Sequence, residues 1–282
     1  MTLRLFALTV LSLLCFAGNS LLCRLALKHT EIDPATFVAI RIGSGAVVLW
    51  LVLRLRKPAG RLEGNWHGAL ALLAYALGFA YAYTQISAGT GALLLFASIQ
   101  ISMILYGLFI GEKLSMTQGL GIGLAVAGLV TLMLPSVSAP PLLHALLMIV
   151  AGIAWGAYSL LGRSAKDAAS ATAGNFIRAT PAALLLFLAH ALAAHAGYDT
   201  AGVAYAVASG AVTSGLGYVF WYAALKQLKV THAATVQLSV PVLTAFGGTL
   251  FLNEPVTGIL VVASVLILLG IALVVLVKKP AA

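Results

Sequence analysis

Polar breaks divide this chain into ten apolar stretches, each about as long as a bilayer-crossing helix. They fall near residues 4–23, 34–53, 66–86, 90–110, 116–134, 143–162, 172–191, 201–225, 231–252 and 257–277. Each is expected to be a helix, because hydrocarbon offers a backbone amide no partner except a carbonyl of its own segment. Pro34 and Pro255 suit helix starts, where a missing amide hydrogen costs little. Pro135, Pro140 and Pro141 mark a linker at the midpoint of the chain.

The pattern occurs twice. Gly111-Glu-Lys-Leu-Ser joins the fourth and fifth stretches, and Asn253-Glu-Pro-Val-Thr joins the ninth and tenth. Glu112 falls opposite Glu254 and Gly128 opposite Gly270, about half the chain apart. Near the start of each half, Phe16-Ala-Gly-Asn-Ser-Leu-Leu-Cys-Arg24 aligns without gaps with Trp155-Gly-Ala-Tyr-Ser-Leu-Leu-Gly-Arg163. Phe79 and Gln85 likewise match Trp221 and Gln227. Residues 1–138 and 139–282 are therefore expected to be two five-helix repeats. Five is odd, so the two copies are expected in opposite orientations across the membrane.

Composition agrees. The chain is 62% hydrophobic and 8% charged, whereas soluble domains carry about 25% charged residues. The net charge of +9 sits in short clusters between spans, which argues for membrane topology rather than nucleic acid. With the N-terminus inside, the inner loops and ends take Arg4, Arg54, Arg56, Lys57, Arg61, Lys113, Arg163, Lys166, Lys226, Lys229, Lys278 and Lys279. The outer loops take only Arg24 and Lys28, a bias that predicts cytoplasmic termini. Cys15 and Cys23, eight positions apart on one helix, are about 12 Å apart, too far for a disulfide. They read as packing residues.

With ten spans, paired acidic turns and two opposed halves, the whole chain resembles the EamA branch of the drug/metabolite transporter superfamily. Within that branch it is similar to bacterial exporters of aromatic and other neutral amino acids. The resemblance implies an all-α, integral-membrane, basket-like bundle with spans 1, 3, 4, 6, 8 and 9 around a central cavity. Spans 5 and 10 would brace it from outside.

Candidate cavity residues follow from position. Tyr75, Phe79 and Tyr83 share one face of span three, answered by Tyr218, Trp221 and Tyr222 in span eight. Trp155 and Tyr158 lie in span six. Such aromatics either pack or form walls for a flat side chain, and can hold an ammonium group. Among polar residues inside spans, Asn19, Gln100 and Gln237 have the most donors and acceptors to satisfy and suit a zwitterion. Ser20, Ser98, Ser159 and Ser239 fit ordinary interhelical bonding. Pro241 frees the carbonyl of Gln237 and is expected to act as a hinge. Arg41 and Arg178, some seven residues into spans two and seven, either snorkel to an interface or clamp a carboxylate.

No Asp or Glu falls mid-span, which disfavours proton antiport of cationic drugs; of the histidines, only His232 is near the pathway. No His-Glu-x-x-His, Gly-x-Ser-x-Gly or nucleotide loop is present, so enzyme chemistry has no support. The sequence thus reads as a secondary transporter exporting neutral amino acids across the bacterial inner membrane by alternating access. Its partners would be the lipid bilayer and a small-molecule substrate, without cofactor or metal, and with a monomer as the simplest assembly. Export of a drug or a nucleotide-sugar-like metabolite is the alternative.

Overall fold

Ten helical stretches make up the computed structural model, which describes residues 3–55, 62–109, 115–133, 139–162, 165–194, 196–225, 227, 237 and 239–276. The first seven are α1 (Leu3–His29), α2 (Pro34–Leu55), α3 (Trp66–Tyr83), α4 (Ala88–Phe109), α5 (Met116–Met133), α6 (Leu142–Gly162) and α7 (Ala168–Ala193). Helix α8 runs through Thr200–Val207, Ala208–Leu216 and Gly217–Leu225, and its middle segment is π-helical. Helices α9 (Ser239–Leu252) and α10 (Gly258–Leu276) follow. No strand occurs among the described residues. The turn at Gly111-Glu112-Lys113, Arg163, His232 and the start of the ninth stretch lie outside the described residues, as does the side chain of Tyr222.

Short polar side chains start the helices by accepting from amides that have no intrahelical partner. Asp33 accepts from the Thr36 amide at 2.9 Å, with Pro34 as the first helical residue of α2. Asn65 caps α3 through the Gly68 amide at 2.7 Å, and Asp199 caps α8 through that of Gly202 at 2.9 Å. Pro255 is different from expectation. It lies in the turn, and α10 begins three residues later, where the Thr257 hydroxyl accepts from the Leu260 amide. The turn is possible because Asn253 takes φ 51°, a left-handed conformation that Asn tolerates better than most residues.

Among the described residues, six helices or helix segments are long and apolar enough to cross a membrane: Leu3–His29, Pro34–Leu55, Ala88–Gly107, Leu142–Gly162, Ala169–Ala193 and Thr200–Trp221. Shorter apolar helices span Met116–Thr131, Ser239–Leu252 and Gly258–Leu273. Helix α3 is richer in Tyr, and it buries Tyr75, Phe79 and Tyr83 inside the bundle. Leu185, Leu192, Phe246, Phe251, Val262 and Leu269 point outward, an arrangement costly in water and favourable in lipid. The whole is an all-helical membrane bundle.

The packing partners are specific. α5 lies along α10, α2 along α7, α6 against α3 and α4, and α1 against α8 and α9. Small residues set the closest approaches, as in membrane bundles generally. A Cβ on Gly128 would stand 3.0 Å from the Ala263 carbonyl and the Ile267 amide nitrogen. One on Gly270 would overlap the Gly121 carbonyl and stand 2.6 Å from the Ala125 amide nitrogen. Gly121, Ala125 and Gly128 match Ala263, Ile267 and Gly270 at one constant offset, so α5 and α10 contact each other reciprocally.

Candidate functional site

The interior of this bundle holds a small pocket, partly open to solvent. Its walls come from α1 (Phe16, Asn19, Ser20), α3 (Tyr75, Phe79), α4 (Leu95, Phe96, Ile99), α6 (Trp155) and α8 (Tyr218), with Gln237 completing them. The Trp155 ring is central. Its centroid lies 4.8 Å from that of Tyr75, 4.9 Å from Tyr218 and 6.4 Å from Phe16. Rings this close are in direct contact, so a bound aromatic side chain has to displace one of them.

One polar seam runs behind this aromatic box. The Asn19 Nδ2 donates to the Tyr75 hydroxyl at 3.2 Å, while its Oδ1 accepts from Ser209 at 2.7 Å and Thr213 at 3.3 Å. Arg41 donates from Nη2 to the same Tyr75 oxygen at 3.2 Å and from Nε to Ser214 at 3.3 Å. The π segment of α8 makes this possible. In α geometry, at 3.6 residues per turn, Ser209 and Ser214 would face about 140° apart. With i→i+5 bonding they come to share a side. Gly210 lets the segment press against α2, since a Cβ there would overlap the Arg41 carbonyl.

Of the eight residues expected to bind substrate, the structure brings Asn19, Phe79, Trp155 and Gln237 to the cavity wall. The other four stand behind it. The Tyr83 ring packs edge-on against Phe79 at 4.7 Å, its hydroxyl donating to the Ala88 carbonyl at 3.4 Å. Tyr158 backs Trp155 at 5.5 Å, Trp221 touches Phe16 at 5.6 Å, and Gln100 is buried in α4. Pro241 is buried in the first described turn of α9. Phe16 escaped the sequence reading as a cavity residue. Its signal was present, since it is the repeat counterpart of Trp155, and the two rings meet.

The arginines differ from expectation. Arg41 does not snorkel; it is 1% exposed, with its guanidinium 5.1 Å from the Tyr75 and Phe79 ring centroids. Arg178 donates to the carbonyls of Glu63 and Gly174, tying the start of α3 to α7. Arg24 was expected in an outer loop and is instead buried within α1, whose helix continues to His29. Its Nε pairs with Glu254 Oε1 at 2.8 Å and its Nη1 donates to the carbonyls of Tyr83 and Thr84. Lys28 lies 3.8 Å from the same carboxylate, whose other oxygen accepts from the Ala88 amide at 2.7 Å. These contacts tie α1, α3, α4 and the α9–α10 turn at one end of the cavity.

Comparison with known proteins agrees with this architecture. The profile of the EamA-like transporter family matches residues 4–134 and again residues 142–276. An uncharacterised protein of Pseudomonas aeruginosa is 52% identical over 272 residues, covering 96% of this chain and 94% of its own. An uncharacterised transporter of Archaeoglobus fulgidus is 28% identical over 88% of this chain and 89% of its own. The uncharacterised transporter YoaV of Bacillus subtilis is 21% identical over 86% and 87%. A solved crystal structure shares the fold with a TM-score of 0.66 at 18% identity, covering 96% of this chain and 97% of the other. The family is that of small-molecule transporters in the drug/metabolite superfamily, which points to a transporter rather than an enzyme. The chain belongs to the EamA-like transporter family.

Proposed function

We propose that this protein exports neutral amino acids, aromatic ones above all, across the bacterial inner membrane by alternating access, with both termini in the cytoplasm. The observation that carries the reading is the aromatic box of Tyr75, Phe79, Trp155 and Tyr218, with the amides of Asn19 and Gln237 in its wall. Tilted rings in contact suit a flat apolar side chain, and their faces suit an ammonium group; the amide side chains add neutral polar groups to the same wall.

Alternating access draws support from the pairing of helices. Exchanging the two halves maps α3 and α4 on α6 onto α8 and α9 on α1, and both sets of contacts occur. It also maps the α5–α10 contact onto itself. Two inverted repeats, 1–138 and 139–282, account for this pattern, and they provide two related conformations with the site near the midplane. Pro241, beside the cavity residue Gln237, is the hinge in this reading.

The test is flux of labelled Phe, Trp and Ala into liposomes holding the purified protein, with and without a pH gradient. Saturable Phe and Trp flux is expected. Absence of flux for every neutral amino acid, from protein shown to be folded, would overturn the substrate assignment and leave the family membership standing.

A further inference from the structure

Five arginines lie within the described helices; Arg4 and Arg54 are exposed, and the charges of the other three are handled differently. Arg24 is neutralised by Glu254. Arg178 is half-buried and capped by two carbonyls. Arg41 is fully buried, and among the described residues no carboxylate pairs with it. Among the described residues its Nη1 also has no hydrogen-bond partner. Two aromatic faces and two hydroxyls compensate part of the charge. An ionised group buried at membrane depth without a counter-charge is costly, and positions that keep one are functional sites by default.

The Tyr75 hydroxyl shows where the missing charge belongs. A phenol has one proton to give and accepts through its oxygen. Asn19 and Arg41 both donate to that oxygen, so the Tyr75 proton is left to donate, and no described residue receives it. Tyr75 lines the cavity. Its partner Asn19 lines the cavity as well, so a donor backed by a guanidinium stands in the cavity wall, an arrangement that prefers an anionic oxygen over a neutral one.

We propose that Arg41 and Tyr75 form the carboxylate anchor of the substrate site: the substrate brings a carboxylate that docks on the Tyr75 hydroxyl, and Arg41 supplies the balancing charge. This deepens the amino-acid reading and rests on it only in taking the aromatic box as the substrate site. The substrate class it defines is the carboxylate with an apolar or aromatic side chain, and a cationic amine is excluded. A guanidinium without an acid partner repels a lone ammonium group. A zwitterion is accepted because its carboxylate docks on the Tyr75 hydroxyl, balanced by the arginine behind it, and its ammonium lies over the opposite ring faces.

The experiment measures binding of three labelled probes to the intact protein in lipid nanodiscs: phenylalanine, 3-phenylpropionate (carboxylate only) and phenethylamine (ammonium only). Phenylalanine and 3-phenylpropionate are expected to bind, with phenethylamine at least tenfold weaker. Arg41→Gln is expected to weaken both carboxylates at least tenfold, Arg41→Lys to recover much of that loss, and Tyr75→Phe to weaken them severalfold. If Arg41→Gln does not fold, Tyr75→Phe and the contrast between phenylalanine and phenethylamine carry the test, because Tyr75→Phe keeps the size of the side chain.

The failures separate cleanly. Phenylalanine binding that is unchanged in both Arg41→Gln and Tyr75→Phe, or in Tyr75→Phe where the glutamine variant is lost, overturns the anchor and leaves the amino-acid reading intact. Binding of 3-phenylpropionate but not phenylalanine keeps the anchor and overturns the amino-acid reading. Phenethylamine binding as well as phenylalanine overturns the anchor, and binding of none of the probes overturns both.

Discussion

Arg24 and Glu254 form a buried ion pair with 2.8 Å between Nε and Oε1, although 230 positions separate them in the chain. One belongs to α1 and the other to the turn after α9, so the pair bridges the first and second halves of the sequence. Losing one partner strands the other as an unpaired charge away from water, which costs about 3–5 kcal/mol. Arg24→Leu and Glu254→Leu are each expected to lower thermal stability sharply in detergent or lipid. The double replacement is expected to lose clearly less than the sum, because no charge is then orphaned. Strict additivity in that double-mutant cycle would mean the pair is not coupled.

The aromatic residues are expected to rank by position. Phe79→Ala and Trp155→Ala remove cavity wall and should cut Phe and Trp flux about tenfold, roughly 1.4 kcal/mol in transition-state terms, with a smaller effect on Ala flux. Trp221→Ala should do less, since Trp221 reaches the cavity only through Phe16. Initial rates in proteoliposomes check this. An equal loss for large and small substrates would show that the rings only pack.

Gly270→Ala places a methyl against the backbone of Gly121 and Ala125, and overpacking of this kind costs about 1–3 kcal/mol. Gly119→Ala, in the same helix pair but with nothing within 4 Å, should be neutral or stabilise by about 0.5–1 kcal/mol through helix propensity. Melting curves of the two variants provide the comparison. Similar melting temperatures would remove the close α5–α10 contact as a determinant of stability.

Pro241→Ala restores a backbone amide at the start of α9 and is expected to slow turnover while binding and folding persist. Single-turnover and steady-state flux measured together resolve this. Unchanged turnover would dismiss the hinge.

Much of the fold was legible because lipid enforces a simple rule: long apolar stretches separated by polar breaks, each satisfying its own backbone. That rule placed ten stretches to within a few residues where they are described. Arg24 was misplaced for a physical reason. A basic residue ending an apolar run looks like a loop, and only its partner 230 positions away makes burial in α1 affordable. Arg41 was ambiguous because its environment depends on which face of α2 turns inward, and a nearly uniform apolar helix does not encode that. The π segment left only Ser209-Gly-Ala-Val-Thr-Ser-Gly215, rich in Gly, Ser and Thr. Its hydroxyls serve Asn19 and Arg41, and nothing in a 3.6-residue period anticipates a turn based on i→i+5 bonds.

The contact of the Trp155 ring with both Tyr75 and Tyr218 has a kinetic consequence. Because the rings fill the space a flat side chain would occupy, the binding-competent form is the fraction of molecules in which they have parted. Observed affinity is the intrinsic affinity scaled by that fraction, so a substitution that props the rings apart can tighten binding without touching the substrate. Selectivity would then be expressed in how fast a ligand associates: small amino acids need little separation of the rings, and aromatic ones wait for a wider and rarer opening before gaining the contacts that hold them.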